Sequence, residues 1–598
     1  MFTGTSGGSM SRSRTACGLI TAAAVSGLLV ALPAVTSSAA TGATNCPTAF
    51  PTDQAVDGVK GTGYTVEKGT KADPFTAKVL GRITDGIGPG IDMIMADLDS
   101  PALERAGGVW AGMSGSPVYT EDGKLIGSVS YGLVSPSNIA GITPAEDMLA
   151  LREEPASARR SMPTSAEKVT VSDQLATRIA KTGEVTKAQA KAGFTRMSVP
   201  VSVSGLAKKN TSKFTERIEK ETGSKVRALA GKASTGAKSS PGDIFAGSNY
   251  AAALSYGDVT LSALGTTTYV CDSTAVAFGH PFFAIGPSEF SLHPAEAVYV
   301  QPDPTWGPFK VGNPLGRVGN VNWDGTVGVR GTLGENPPHE FPITTDLVNE
   351  NSGKSTKGTT VGVYQPYAAD IAAIHLQSAI VKALGVQSQG SAEVKITVKG
   401  TRGDGKDFKI THDDYFADTY DISYATADSL WYLLYPLADQ PYEELNITSV
   451  KVTGKVSTTV KQFRVSKLEQ KVNSKWQTLP ETITAKAGSS IQLRAVLKGY
   501  RNSDNLTVPL SVQVPDGAVS GNAGSLTVAD GRSLGSYYQE HDSLDELLEQ
   551  LNEQQTGNEL VSQVDLYNDD GTTLTSRAEA EIKGAIAYYY KNVAVNVQ

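Results

Sequence analysis

One stretch of this chain, residues 107–132, constrains the fold more than any other. It contains a run of small residues, Gly112-Met113-Ser114-Gly115-Ser116-Pro117, then strand-like residues 118–120, a polar turn at 121–123 and an apolar run at 125–131. Small residues on both sides of a position let the backbone bend sharply. The pattern predicts a tight turn with Ser114 at its apex, followed by a β-hairpin. A glycine-rich hairpin that needs small residues for its geometry alone is the alternative interpretation.

The same turn is suited to a nucleophilic serine. It would expose the hydroxyl of Ser114 and point the N–H groups of Gly112 and Ser114 at an incoming carbonyl, as an oxyanion hole requires. Residues 128–130 would then lie where a substrate peptide can add as a further strand. A serine nucleophile also needs a base, normally His, and a group that orients the base, normally Asp.

The base has to come from downstream, because none of the six histidines precedes Ser114. His280 is the best candidate, since it follows a glycine at the end of the apolar run 275–278. His293 is the next candidate. The remaining histidines have less suitable surroundings, a predicted amphipathic helix for His375 and polar, loop-like segments for His339, His412 and His541.

Other chemistry is not supported by the sequence. Gly353-Lys354-Ser355 suggests a phosphate loop, but Val348 stands where the first glycine of that motif is required. There is no His-Glu-x-x-His, no Cys-x-x-Cys and no dinucleotide-binding fingerprint. We therefore expect neither a metal nor a cofactor.

Composition and charge narrow the class further. The 598 residues are enough for several domains, and 40% hydrophobic content with 61 glycines and 29 prolines favours a β-rich globular protein. The net charge of −8 argues against nucleic acid as the main partner. Residues 151–240 are locally basic, and their Ser, Ala and Thr content favours a solvated connector over a binding patch. We call them the basic connector.

The N-terminus has the order of a signal peptide. Arg12 and Arg14 precede an apolar run at 16–35, and small residues at 37–40 match a signal-peptidase site. We expect residues 1–40 to be removed near Ala40 and the protein to be secreted or held at the cell surface without stable membrane insertion. A membrane anchor is the alternative, because the apolar run approaches the length that spans a bilayer.

The cysteines leave two possibilities open. Cys17 lies in the predicted signal segment, so Cys46 and Cys271 remain in the mature chain. An even pair in an oxidising compartment suggests one disulfide. Two free thiols are the alternative.

Periodicity predicts several helices and a β-rich C-terminal part. Helical spacing covers 173–182, 213–221, 368–384 and 543–551. Beyond Ser391, short alternating segments separated by turn signals predict one or two β-sandwich modules.

The motifs resemble those of the stage IV sporulation protein B family of serine peptidases. The resemblance covers about residues 75–335 and is carried by residues 107–108, 112–117, 123–127, 257–267 and 278–282. It implies a trypsin-like double β-barrel and peptide hydrolysis with Ser114 as nucleophile and His280 as base. In that family the histidine segment precedes the serine, whereas here it follows, so the order looks permuted. No PDZ-like module is found.

The resemblance also implies the third catalytic residue. The family has an acidic residue shortly before its Gly-Gly element, and Asp99 occupies that place before Gly107-Gly108. Asp97, two residues away, and Asp258, before a strand leading toward His280, are the alternatives.

We therefore predict a mainly β protein with a double-barrel peptidase unit and C-terminal sandwich modules. The expected divisions are a signal peptide (1–40), a Ser-bearing barrel with its leading segment (41–150), the basic connector (151–240), a His-bearing barrel and helix (241–390) and the sandwich region (391–598). The predicted function is that of an exported serine endopeptidase acting on protein or peptide substrates. The alternative is a catalytically silent cell-surface binding protein on a peptidase scaffold.

Overall fold

The computed structural model describes residues 46–134, 137–153, 166–204, 208–222, 227–230, 238–305, 307–501, 505–534, 541–568 and 570–598. The predicted signal peptide lies outside these residues. Strands hold 49% of the chain and helices 18%, and two six-stranded antiparallel barrels close on themselves, which confirms the mainly β, double-barrel prediction. Among the helices of the described residues, none combines the length and the hydropathy that crossing a bilayer requires.

The first barrel contains the predicted serine hairpin. Its six strands close in the order β4-β1-β2-β3-β6-β5, with β5 pairing back onto β4. The strands are β1 (Lys60–Thr65), β2 (Asp73–Gly88), β3 (Ile91–Asp99), β4 (Pro117–Thr120), β5 (Leu125–Gly132) and β6 (Ile139–Pro144). Two short helices accompany them, α1 (Pro101–Ala106) and α2 (Ala145–Ala150). Alternate residues of β1 are buried and exposed, as expected for a strand with one face on a barrel core.

The basic connector adds strands to both barrels. Strand β8 pairs with β5, and β9 pairs with a strand of the second barrel. Both carry buried apolar residues, since Phe194 of β8 is fully buried and Val201 of β9 is nearly so. The strands are β7 (Lys168–Val169), β8 (Phe194–Arg196), β9 (Pro200–Val203) and β10 (Arg227–Ala230). The helices are α3 (Asp173–Ala180), α4 (Lys187–Lys191) and α5 (Lys208–Thr222).

The second barrel closes in the order β11-β12-β13-β18-β17-β14, with β11 pairing back onto β12. Its strands are β11 (Asn249–Gly257), β12 (Leu261–Cys271), β13 (Thr274–Ala277), β14 (Gly286–His293), β17 (Gly319–Gly325) and β18 (Gly328–Leu333). Between them lies a separate hairpin of β15 (Ala295–Gln301) and β16 (Phe309–Pro314). An isolated bridge from Ala111 to Phe309 connects this hairpin to the residues just before the serine turn.

Two long helices cover an extension of the sheet that forms the second barrel. The helix predicted at 368–384 is present as α6 (Ala368–Leu384), and α7 (Ile422–Asp439) packs beside it. The extension consists of β19 (Phe341–Asn349), β20 (Ser355–Gly362), β21 (Gly390–Arg402), β22 (Asp407–Asp418) and β23 (Leu445–Ser457). From the pattern beyond Ser391, the sequence analysis placed the segments of β21, β22 and β23 in the sandwich region. They lie instead in the sheet whose face α6 and α7 bury.

The C-terminal residues form a β-sandwich from Gln462 onward. Two sheets, β25-β24-β27-β28 with β32 and β26-β33-β29-β30-β31, share one apolar core. The strands are β24 (Gln462–Val472), β25 (Lys475–Thr478), β26 (Thr482–Ala485), β27 (Ser490–Gly499), β28 (Asn505–Gln513), β29 (Ala523–Asp530), β30 (Glu559–Tyr567), β31 (Thr573–Glu581), β32 (Ala585–Ile586) and β33 (Tyr590–Val597). Helices α8 (Gly531–Leu534) and α9 (Leu544–Asn552) follow β29, and α9 matches the predicted helix at 543–551.

A disulfide joins the start of the described chain to the second barrel. Cys46 and Cys271 are bonded across 225 residues, with their Cα atoms 4.6 Å apart. Close by, Phe50 donates its N–H to the carbonyl oxygen of Leu125 on β5. The residues before β1 are thereby held against both barrels.

Candidate active site between the two barrels

The serine turn, residues 112–117, has the sharp backbone that its small residues predict. Gly112 and Gly115 both adopt left-handed conformations, with φ of +92° and +96°. The N–H of Gly115 donates to the carbonyl oxygen of Val129 on β5 at 2.8 Å, which fixes the turn on the strand that follows it. The turn is therefore shaped by glycine conformations that other residues rarely adopt.

The two serines of the turn have different surroundings. The hydroxyl of Ser116 donates a 2.6 Å hydrogen bond to the carbonyl oxygen of Met113. The Oγ atom of Ser114 is buried and has no hydrogen-bond partner among the described residues. Buried polar atoms are nearly always paired, and an exception requires an explanation. Of the two serines, Ser114 is the one whose hydroxyl has no hydrogen-bond partner among the described residues.

The amides predicted for the oxyanion hole are also available. In the part of the chain that the structure describes, neither the N–H of Gly112 nor that of Ser114 donates a hydrogen bond. A Cβ placed on Gly112 would lie 2.9 Å from the Cβ of Lys310 and 3.3 Å from the Cγ of Pro200. Two amide donors at the apex of one turn suit an oxygen that gains negative charge.

The serine turn packs directly on the second barrel. Thr266 on β12 donates its N–H to the carbonyl oxygen of Ser114 at 2.8 Å, and the hydroxyl of Thr268 donates to the carbonyl oxygen of Gly115 at 2.9 Å. A Cβ on Gly115 would collide with the carbonyl oxygen of Thr266 and lie 2.5 Å from the amide nitrogen of Phe278. The turn therefore contacts the end of β13, two residues before His280.

His280 lies in the loop that leaves β13. Its side chain is fully buried, and its Nδ1 atom is 2.9 Å from the carbonyl oxygen of Pro281. A carbonyl oxygen can only accept, so this contact requires the proton on Nδ1 and leaves the lone pair of a neutral ring on Nε2. Nε2 is buried without a partner among the described residues. Burial lowers the pKa of His280 to about 3, so the ring is neutral near pH 7.

The first barrel holds the residue before His280. The hydroxyl of Thr143 on β6 donates to the carbonyl oxygen of Gly279 at 2.6 Å, and Ser130 on β5 lies 2.6 Å from the same hydroxyl. A Cβ on Gly279 would collide with the Oγ atom of Ser128. This close approach explains the glycine and fixes the histidine loop against β5 and β6.

A buried carboxylate holds the residues after His280. Asp324 on β17 accepts hydrogen bonds from the backbone N–H groups of Phe282, Phe283 and Ala284. Burial raises the pKa of Asp324 to about 6, against the opposing effect of these three bonds. Asp324 is a positioning residue for the loop, and the sequence analysis missed it because its position in Trp-Asp-Gly gives no catalytic signal.

The structure places Ser114 and His280 at the same contact between the barrels. They are not hydrogen-bonded to each other, since each reactive atom is without a partner. Catalytic hydrogen bonds are often long in structures without substrate and tighten when substrate binds. The arrangement brings together a buried serine hydroxyl, an unpaired ring nitrogen and two backbone N–H groups, each from an element held by backbone contacts.

The predicted acids lie elsewhere in the described structure. Asp99 ends β3 with an exposed side chain, and no hydrogen bond or ion pair among the described residues joins it to His280. Asp97 is half-buried, and its pKa is raised by burial and by the negative charges of Glu184 and Asp99. Asp258 accepts a 2.8 Å hydrogen bond from the N–H of Thr359. The assignment of Asp99 stays a prediction.

The second histidine candidate has both ring nitrogens engaged. Nε2 of His293 is 2.7 Å from the hydroxyl of Ser291, and Nδ1 is 2.8 Å from the carbonyl oxygen of Leu315. A histidine satisfied in this way holds β14 to the adjacent loop. Among the two candidates, His280 has the nitrogen that is free to act as a base.

Lys310 is a further titratable group that the sequence analysis missed. Its ammonium nitrogen is fully buried and donates a 2.8 Å hydrogen bond to the side-chain oxygen of Asn249. Burial lowers its pKa to about 7. Its backbone N–H donates to the carbonyl oxygen of Ala111, so β16 supports the residues before the serine turn.

The comparisons with known proteins agree with the serine turn. Residues 2–149 match the sequence profile of the family described as SpoIVB peptidase S55, which confirms the family resemblance over this part of the chain. Comparison with curated proteins and with solved structures gives no match. The matched segment includes Ser114 and Asp99, whereas His280 lies beyond it.

Proposed function

We propose that this chain, which carries the SpoIVB-type serine peptidase signature in residues 2–149, hydrolyses peptide bonds through an acyl-enzyme on Ser114. His280 is the proposed base, and the N–H groups of Gly112 and Ser114 are the proposed oxyanion donors. The family match supports a serine peptidase. The geometry between the barrels supports these residues for its mechanism.

The first step forms the acyl-enzyme. The Oγ atom of Ser114 attacks the carbonyl carbon of the substrate, and its proton passes to Nε2 of His280. The former carbonyl oxygen becomes negative and accepts hydrogen bonds from the N–H groups of Gly112 and Ser114. When the intermediate collapses, the C–N bond breaks and the leaving amine takes the proton from His280.

The second step releases the acid product. Water attacks the ester carbonyl while Nε2 of His280 accepts its proton, and the proton then returns to the oxygen of Ser114. The Nδ1–H group donates to the carbonyl oxygen of Pro281 throughout. This contact fixes the tautomer of the imidazole, as a carboxylate does in many serine peptidases.

One observation carries the proposal. The Oγ atom of Ser114 and the Nε2 atom of His280 are both buried, lie at the contact of two closed barrels and have no hydrogen-bond partner among the described residues. Leaving two such atoms unpaired costs stability, about 1–3 kcal/mol each. What distinguishes this pair from other unpaired buried atoms, such as the hydroxyl of Tyr250, is its place at the serine turn with two unpaired backbone N–H groups.

Labelling with a fluorophosphonate tests the proposal. The oxygen of an activated serine attacks the phosphorus and displaces fluoride, which leaves a stable phosphonate ester. We expect the label on Ser114 in a tryptic digest, with loss of labelling in Ser114→Ala and His280→Ala. Ser116→Ala is the matched control and should retain it. Absence of label from Ser114 in the folded wild type and in every folded variant with a more accessible site would favour the catalytically silent binding protein instead.

Export is a separate proposal. The basic, apolar and small-residue order of residues 1–40 supports it, and so does the disulfide between Cys46 and Cys271, because such bonds persist mainly in oxidising compartments. N-terminal sequencing of protein from the culture medium should find a terminus near Ala40. An intact Met1 on protein held in the membrane would contradict it.

A further inference from the structure

The edge of β5 beside the serine turn is already occupied by the chain itself. On the connector, Arg196 pairs antiparallel with Tyr131, and Thr195 pairs with Gly132. One residue further, Met197 donates its N–H to the carbonyl oxygen of Ser130 at 3.1 Å. Strand β5 is the second strand of the serine hairpin, and its residues 128–130 are where the sequence analysis expected a substrate peptide to add.

The same segment then runs past the nucleophile. Three residues after Met197, the ring of Pro200 lies 3.3 Å from where a Cβ of Gly112 would stand. Gly112 carries one of the two oxyanion amides, so residues 197–200 pass from the β5 edge to the serine turn. The hydroxyl of Ser114 has no solvent exposure in this arrangement.

The side chain of Met197 is buried beside the serine hairpin. It is 8% exposed and belongs to the apolar cluster of the first barrel, which includes Met113 of the serine turn and Val129 of β5. The positive charge of Arg196 lowers the pKa of His280, after the larger effect of burial. The guanidinium itself is 3.9 Å from the carboxylate of Glu167. The backbone of residues 195–197 therefore pairs along β5 as a substrate strand would, and the side chain of Met197 is buried.

We propose that residues 194–197 occupy the substrate groove, with Met197 on the amino side of the position where the scissile bond lies. Arg196 and Thr195 take the two preceding subsites. This inference rests on the proposed peptidase function and adds two features to it. The enzyme is self-inhibited in this form, and its groove accepts an unbranched apolar residue at the cleavage position, preceded by a basic residue.

An internal occupant has a strong advantage over a substrate in solution. Residues 194–197 are attached to the molecule, so their effective concentration at the groove is of the order of millimolar or higher. Strand addition gains affinity from main-chain hydrogen bonds, which any extended peptide can form. Phe194 is fully buried and β7 pairs with β8, so the chain is anchored before Thr195. Residues 195–197 have to leave β5 together before a substrate can pair there.

Variants of Met197 test the self-inhibition in the full mature chain. Met197→Asp puts a charge into the apolar site, and Met197→Ala shortens the side chain without a charge. We expect the fluorophosphonate to label Ser114 at least about tenfold faster in both variants than in the wild type. Ile218→Ala is the matched control, because it truncates a buried apolar residue of the same connector on α5, in a cluster that contains neither Met197 nor Phe194. It should label at the wild-type rate.

A peptide aldehyde tests the subsites. Its carbonyl carbon would bond to the oxygen of Ser114 and the serine proton would move to the aldehyde oxygen, giving a reversible hemiacetal. Acetyl-Phe-Thr-Arg-Met aldehyde should protect Met197→Ala from the label at concentrations at least tenfold lower than the same peptide ending in Asp aldehyde. Equal protection by the two aldehydes would overturn the subsite assignment.

The outcomes separate the two proposals. Equal labelling of wild type, Met197→Ala and a folded Met197→Asp would overturn the self-inhibition while leaving the peptidase function standing. Absence of label from Ser114 in every folded variant would overturn the peptidase function itself. A wild-type chain cut between Met197 and Ser198, but intact in Ser114→Ala, would support the placement of this segment in the groove.

Discussion

The hydroxyl of Thr143, on the last strand of the first barrel, donates a 2.6 Å hydrogen bond to the carbonyl oxygen of Gly279 on the second. Gly279 precedes His280, so one side chain of the serine-bearing barrel fixes the backbone of the proposed base. A catalytic pair divided between two barrels works only if the barrels keep their register. This contact is one of the few side-chain bonds that hold it.

Thr143→Val tests whether holding the backbone beside His280 matters for activity as well as for the stability of the fold. The substitution keeps the shape and removes the donor, which leaves the carbonyl of Gly279 and the hydroxyl of Ser130 without this partner, at a cost of about 1–3 kcal/mol. We expect peptidase activity to fall at least tenfold, because small displacements of catalytic groups are costly. Thr120→Val, which removes a hydroxyl from the hairpin turn, is the control. Equal activities in the two variants would argue against a role for this contact.

Gly115→Ala should be far more damaging than the same change at Gly123. Both glycines have positive φ, so both substitutions impose a backbone cost of roughly 1–2 kcal/mol. At Gly123 an added Cβ meets nothing within 4 Å, whereas at Gly115 it collides with the carbonyl oxygen of Thr266. Overpacking adds about 1–3 kcal/mol and displaces the serine turn. Urea unfolding and Ser114 labelling should both distinguish the variants, and similar stabilities would show that the turn can relax.

Asp99→Asn tests the third catalytic role that the family resemblance implies. If Asp99 orients His280 when substrate binds, the variant should lose up to about 10⁴-fold in turnover while keeping its fold. Asp97→Asn, two residues away on the same strand, should change turnover little. Turnover close to that of the wild type in Asp99→Asn would assign the orienting role to the carbonyl of Pro281 alone. Collapse of turnover in Asp258→Asn would move the role to that residue.

Stability should decrease on acidification, partly because of His375. Burial lowers the pKa of this histidine to about 4, while an unfolded histidine has a pKa near 6.5. Between these values the unfolded chain binds a proton that the folded chain does not, so the free energy of unfolding falls as the pH decreases. One such group contributes at most about 1.4 kcal/mol per pH unit. His375→Gln should reduce the slope measured by urea unfolding between pH 6.5 and 4, and identical slopes would contradict this.

The local elements of this protein follow from the sequence because their causes are local. The glycines around Ser114 predict the sharp turn, and the alternation that follows predicts the hairpin. The apolar spacing of Ala368–Leu384 predicts the helix with the bounds that it has. Helix α7 (Ile422–Asp439) was missed, because its aromatic run and Pro436 resemble a strand and a turn more than a helix. Its burial between a sheet and α6 outweighs those local preferences.

The contacts between distant segments were decided by the tertiary structure. The sequence left Cys46 and Cys271 as a disulfide or two free thiols, and the packing of the segment before β1 against both barrels brings them together. Neither the carboxylate of Asp324 under the histidine loop nor the pairing of Thr195 and Arg196 with β5 has a signature in the chain, since both depend on which strand edges meet. Periodicity encodes which face of an element is buried. Periodicity does not encode which other element packs against that face. This depends on how the two barrels close around the site.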